Sequence, residues 1–192
     1  MLNIQTFDNR AGGNVLYKAL AHPLAAEAID RLYDRLTGSV AVYDPEGIVP
    51  ALLALYPRAP AFCGLYVHDV TAVGSERAGH LARALTELAD SDARCVLIAA
   101  FDADRIHARI AHLLPAGAEV VTLDDAKLPD ALLTNRARYL DKLNFATNFA
   151  FFRDADGLST RLVSANYWAG YGGGAIRLWL RLFDSNGAVL AT

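Results

Sequence analysis

The chain of 192 residues carries 18 basic and 21 acidic side chains, a formal charge of −3, and is 54% hydrophobic. With a pI near 5.9 and a mean hydropathy of +0.21, it is no disordered segment. It is long enough for one full domain, or for one domain of about 140 residues with a small appendage. Charges of both signs are interspersed, and Asp141 breaks up even the group Arg136, Arg138 and Lys142. No footprint for a phosphate backbone results, so no nucleic-acid partner is expected. The longest stretch free of acidic and basic side chains, 162–176, is 15 residues with Ser164, Asn166 and four glycines, shorter and more polar than a membrane span of about 18 or more residues. The first ten residues include Asp8 and no apolar core of a secretory signal, so a cytoplasmic, membrane-free protein is expected. Cys63 and Cys95 each lie in an apolar run, without Cys-x-x-Cys spacing or a neighbouring histidine. They read as two reduced, buried thiols rather than a disulfide or metal ligands.

In chain order, Asn14 stands as a cap for a helix begun by VLYKAL. After His22-Pro23, LAAEAIDRLYDRL forms an amphipathic helix with Leu24, Ala28, Leu32 and Leu36 on one stripe. SVAVY (39–43) is a short strand ending at Asp44-Pro45-Glu46-Gly47, and IVPALLALY is a short helix. FCGLYVH (62–68) is a second strand, the apolar run 95–101 a third and 119–123 a fourth, with a helix over 104–114 between the last two. Strands that are continuously apolar and separated by helices predict a parallel sheet covered on both faces. With right-handed crossovers this is an α/β, Rossmann-like open parallel sheet over residues 1–143.

Residues 144–192 change character. LDKLNFATNFAFFR passes from a helix end into an alternating pattern, Asp154-Ala155-Asp156-Gly157 signals a turn, and strands are predicted over 158–168, 175–183 and 188–192. Asn186-Gly187 carries a hairpin signal. In IRLWLRLF, Ile176, Leu178, Leu180 and Leu182 share one face, and Arg177, Trp179, Arg181 and Phe183 the other. The expectation is a C-terminal antiparallel β-meander. It packs on the first domain or on another chain, as a homo-oligomer or with a partner, or it is half of a β-sandwich cut from a longer protein; truncation is slightly favoured.

Ligands of open parallel sheets bind beyond the carboxyl ends of the strands. That places Asp44 to Gly47, His68 to Thr71 with the loop 72–80, and Asp102 to Asp104 at the candidate site. Asp69, 22 residues after Gly47, stands where such folds hold a ribose diol, with a backbone-capping loop aspartate as the alternative. Arg77, in a loop bracketed by Gly74 and Gly79, could act as an anion clamp or belong to an ordinary solvated loop. Asp44-Pro45-Glu46 replaces a glycine-rich phosphate turn, and its carboxylates would repel a pyrophosphate. Asp102-Ala103-Asp104 reads as a metal-diphosphate site or, preferably, as a helix cap with an acidic first turn. No metal is expected, and no cofactor is assigned. His107 and His112, five apart, do not share a helix face, and no nucleophile elbow exists. His68, beside Asp69, is the histidine best placed for acid–base work, against a surface or capping role. Asn166, Tyr167, Trp168, Tyr171 and Gly172-Gly173-Gly174 read as packing in a hairpin connection, or as a platform for a sugar ring.

Residues 39–123, with a strand ending in Asp69, a glycine-containing loop, LARALTEL and then VLIAAF, resemble small Rossmann-like modules of nucleotide-sugar metabolism. Such modules are the N-terminal domains of sugar-nucleotide acetyltransferases and the C-terminal domains of sugar C-methyltransferases. The resemblance implies nucleotide contacts at Gly47 and Asp69; the family's catalytic histidine lies in a domain that has no counterpart here. The functional expectation is a binding or accessory domain for a small ligand of nucleotide or nucleotide-sugar type, without an evident catalytic centre, using Asp44, Gly47, Asp69, Arg77 and Asp102. The alternatives are a sugar- or nucleotide-modifying enzyme using His68 and Asp69, and an assembly module docking through the meander.

Overall fold

The computed structural model describes residues 13–22, 24–145, 154–163, 170, 180–184 and 188–191. The chain divides into two compact units, Met1–Thr147 and Asn148–Thr192. In the first unit, helices α1 (Gly13–Leu20) and α2 (Ala25–Arg35) precede strand β1 (Val40–Tyr43), helix α3 (Val49–Leu55) and strand β2 (Phe62–Val67). A hairpin of β3 (Glu76–Arg77) and β4 (His80–Ala84) follows, then β5 (Cys95–Ile98), α4 (Asp104–Ile110) and β6 (Glu119–Thr122). Together the strands form one sheet in the order β3-β4-β2-β1-β5-β6. All pairings are parallel except β3 with β4. The fold is therefore α/β with a mixed, mostly parallel sheet, and strand order reverses on the two sides of β1.

Alternation along the central strands divides the core in two. Val40, Val42, Leu65, Val67, Cys95, Leu97 and Val121 belong to one buried cluster that includes side chains of α1, α2 and α3. Ala41, Tyr43, Tyr66, Val96 and Ile98 belong to another, with Leu85, Leu88 and Ile110. Both faces of β1 and β5 are covered, which is why these segments are apolar at every position rather than at every second one. Burying a side chain of this kind contributes about 1.5–3 kcal/mol.

Several local expectations change. Helix α1 begins at Gly13, so Asn14 lies inside its first turn rather than capping it. The buried stripe of α2 is Ala25, Ala28, Ile29, Leu32 and Tyr33, while Leu24 is exposed; His22 Nδ1 accepts the Leu24 N–H where the chain breaks between helices. Helix α4 stops at Ile110 and continues as a 3₁₀ turn, Ala111–Leu113. Cys95 is buried but Cys63 is exposed, so the pair of buried thiols becomes one. Segment LARALTEL opens with β4, a strand parallel to β2 at Leu65↔Ala82. Of its five residues only Ala82 is buried, so it lacks the apolar run that marked the other strands.

The β3–β4 hairpin turns through Ala78 (φ 51°) and Gly79 (φ 78°), positive φ at both central positions, as the type I′ turn requires. An alanine there bears a left-handed penalty of roughly 1–2 kcal/mol that asparagine tolerates better. Ala78→Asn is expected to raise stability by about 0.5–1 kcal/mol, or roughly 1–4 °C in Tm by calorimetry.

In the second unit, β7 (Asp154–Ala155) and β8 (Leu158–Ser159) form an antiparallel pair. Asp156 (φ 57°) and Gly157 (φ 76°) make its turn, so this aspartate-rich segment is a hairpin. A second antiparallel pair joins β9 (Leu182–Phe183) to β10 (Val189–Ala191). Residues 160–163 and 180–181, which the sequence pattern places in strands, lie outside these pairs. Residues 164–169 and 171–179, with Trp168, the glycine run and the alternating IRLW, lie outside the described residues, as do Asn186 and Gly187.

Candidate functional site

The turn after β1, the end of β2 and the β3–β4 hairpin surround an open cleft of about 430 Å³, lined by Asp44, Pro45, Glu46, Gly47, Pro50, Val67, His68, Asp69 and Arg77. It lies at the carboxyl ends of β1 and β2, where parallel strands leave main-chain turns and helix starts facing solvent. Five candidates singled out in the sequence, Asp44, Gly47, His68, Asp69 and Arg77, line this one cleft.

Asp44 is 1% exposed, the one charged or polar residue among the described buried core. Its Oδ1 accepts the Ile48 N–H at 2.8 Å, just ahead of α3, while Oδ2 is buried without a hydrogen-bond partner among the described residues. Burial raises its pKa above the usual carboxylate range; the N–H groups of Ile48, Val49 and Gly47 and the charge of Arg77 oppose that rise. The carboxylate thus occupies the turn just ahead of α3. Gly47 (φ 71°) makes the turn, and a Cβ there would lie 3.9 Å from Arg77 Nη1.

Glu46 is also shifted upward, first by partial desolvation and then by the negative charges of Asp102 and Asp44. Asp69 is exposed, and its Oδ1 accepts both the N–H (2.9 Å) and the hydroxyl (2.7 Å) of Thr71. These bonds hold its pKa below the ordinary value. Asp69 therefore does cap local backbone, opening the 3₁₀ turn Val70–Ala72, while facing the cleft. His68 Nδ1 lies 3.1 Å from the Tyr43 hydroxyl, which fixes the ring from one side. Arg77 stands on β3 rather than in a loop, where it has no ion-pair partner among the described residues.

Asp102 is not part of the lining. Its φ is 54°, its Oδ1 pairs with Lys127 Nζ at 2.5 Å, and its Oδ2 accepts the Tyr139 N–H at 2.9 Å. The N–H groups of Asp102 and Ala103 are received instead by Asp124 Oδ1 and Oδ2, at 2.7 and 2.8 Å. Asp102 is a latch between the end of β5 and the segment after β6. The residue before α4 is Ala103, with no side-chain cap, so the capping reading of Asp102 is corrected; Asp104 does occupy the acidic first turn. No cluster of three or more potential metal ligands occurs among the described residues. Sequence reasoning missed Tyr43, whose spacing to His68 is set by the pairing of β1 and β2.

No helix among the described residues is long and apolar enough to cross a membrane. Neither protein-family models, curated proteins nor solved structures give a match to this chain.

Proposed function

We propose that the first unit is a Rossmann-like domain that binds a small ligand of nucleotide or nucleotide-sugar type in this cleft, as a binding or accessory domain rather than a catalytic one. The observation that carries the reading is the convergence of Asp44, Gly47, His68, Asp69 and Arg77, from three separated segments, on one cavity of about 430 Å³ at the strand ends. That size is within the range of small-molecule pockets. The Asp69 carboxylate offers acceptors for ligand hydroxyls, and Arg77 offers donors.

A second reading, a sugar- or nucleotide-modifying enzyme using His68 and Asp69, draws on the Tyr43–His68 contact of 3.1 Å, which would aim the imidazole edge for proton transfer. Binding is preferred because Asp69 engages Thr71 through Oδ1 and makes no hydrogen bond to His68 among the described residues. Docking through the meander has weaker support: Leu158, Leu162, Val163, Leu180, Val189 and Leu190 are exposed.

A thermal-shift panel of nucleotides, nucleotide-sugars, NAD(P), S-adenosylmethionine and simple sugars tests the reading. Ligand at a hundredfold over its Kd adds roughly 2.7 kcal/mol, or about 5–11 °C at this chain length. One nucleotide class should give that shift and lose it in Asp69→Ala, whose exposed side chain is dispensable for the core. Silence across the panel overturns the proposal. Turnover of a bound compound that stops in His68→Ala would establish the enzyme instead.

A further inference from the structure

We infer that the cleft selects a ligand with a single anionic group, a phosphate monoester or a carboxylate, held by the Arg77 guanidinium, and that Asp44 excludes a pyrophosphate from the turn after β1. This rests on the ligand-binding reading above and narrows its chemical class by setting aside ligands joined through a diphosphate.

The first observation concerns the helix start. In a dinucleotide-binding turn, glycines and free N–H groups accept the pyrophosphate. Here Asp44 Oδ1 already receives the Ile48 N–H at 2.8 Å. Its second oxygen is buried beside it with no partner among the described residues. A pyrophosphate entering this turn would meet a carboxylate in a poorly hydrated place, where like-charge repulsion is least screened. The anion subsite common to such turns is closed by the protein's own anion.

The second observation is Arg77. It reaches the same turn from the opposite wall, with Nη1 3.9 Å from where a Gly47 Cβ would stand. It is half-buried and close enough to Asp44 and Asp69 to lower the pKa of each. Yet its guanidinium forms no ion pair and no hydrogen bond within the described residues, so its planar fork of donors remains available for bidentate contact with a carboxylate or phosphate. Gly47 takes a φ of 71° that a side chain there would strain, and Arg77 Nη1 lies within van der Waals reach of this turn.

Charge decides the number of anions. One arginine faces the cleft together with Asp44, Glu46 and Asp69. A ligand with one anionic group places it on Arg77 and turns hydroxyl or amino donors toward Asp69 and Glu46. A second anionic group would find only carboxylates.

Calorimetric titration of the full chain at pH 7.5 tests this with adenosine and uridine, their 5′-monophosphates, ADP-ribose and UDP-glucose, and with glucuronate as the carboxylate source beside glucose as its uncharged match. A monophosphate or glucuronate should bind about 10- to 100-fold tighter than the matching uncharged nucleoside or glucose, the range for a charge-assisted contact. Which of the two gains identifies the source of the anion. Arg77→Gln should erase that gain, and Arg77→Lys, which returns the positive charge, should restore part of it. Asp44→Asn, which keeps an acceptor for Ile48, should raise affinity for ADP-ribose or UDP-glucose at least tenfold. Equal binding of charged and uncharged compounds, an unaltered preference in Arg77→Gln, or wild-type preference for the diphosphates overturns the inference while leaving ligand binding intact. Silence from every compound removes the ligand-binding reading itself.

Discussion

Tyr139→Ala lowers the stability of the first unit by about 3–5 kcal/mol, the range for deleting a large buried aromatic ring. Tyr139 is 1% exposed, and its ring centroid lies 4.5 Å from that of Phe101 and 5.2 Å from that of Phe145. Its hydroxyl accepts the Leu128 N–H at 3.1 Å, and its own N–H donates to Asp102 Oδ2. Burial accordingly pushes its pKa up to about 12. The segment from Leu123 to Phe145 contains only short 3₁₀ turns among its regular elements. Its order depends on side chains of this kind, and on Asn144, whose amide donates to the carbonyls of Asn135, Arg138 and Tyr139. Removing the ring opens a cavity at the place where three stretches of chain meet. Urea unfolding should show the loss, with a fall in Tm of roughly 6–20 °C. Tyr139→Phe separates the two contributions: it keeps the ring and strands the buried Leu128 N–H, costing about 1–3 kcal/mol. Equal effects of the two variants would refute the cavity argument.

What the sequence disclosed follows from what burial does to composition. Strands β1 and β5 were legible because a strand with both faces covered must be apolar at successive positions, as in VAVY and CVLI. Strand β4 was not, because pairing with β2 uses backbone groups and its side chains include the exposed Leu81 and Arg83. Arg83 instead donates to the Tyr66 hydroxyl at 3.1 Å and lies over that ring, a contact between residues 17 apart that no local pattern encodes. The same contrast runs through the site. The Asp69 turn was legible, since Asp-Val-Thr can close on itself two residues on. Asp102 was misread because its partners, Lys127 and Tyr139, lie 25 and 37 residues away. Asp44 was placed at the strand end, but its burial was hidden: Asp-Pro-Glu-Gly has the composition of an exposed turn.

That burial makes Asp44 the residue whose replacements should diverge the most. Asp44→Ala strands the Ile48 N–H, which Oδ1 receives in a buried setting, and loses the side-chain acceptor at the start of α3. About 1–3 kcal/mol of stability should be lost. Asp44→Asn keeps an acceptor and removes the charge, so its effect depends on pH. Burial raises the folded-state pKa above the ordinary 3.8, and the native protein therefore holds this proton more tightly than the unfolded chain does. Stability contributed by such a group is full below the unfolded pKa and is lost as pH rises through the folded one. Wild type and Asp44→Asn should thus have matching urea midpoints near pH 3 and separate above pH 4, with the asparagine variant the more stable at pH 7. Glu46 titrates in the same sense, in part because of Asp44, so the variant should also weaken the pH dependence that Glu46 contributes. A gap that is constant with pH, or that widens on acidification, would show that the helix-start hydrogen bonds outweigh desolvation at Asp44. In that case the carboxylate is a stabilising cap, and its unpartnered oxygen imposes no penalty on the fold.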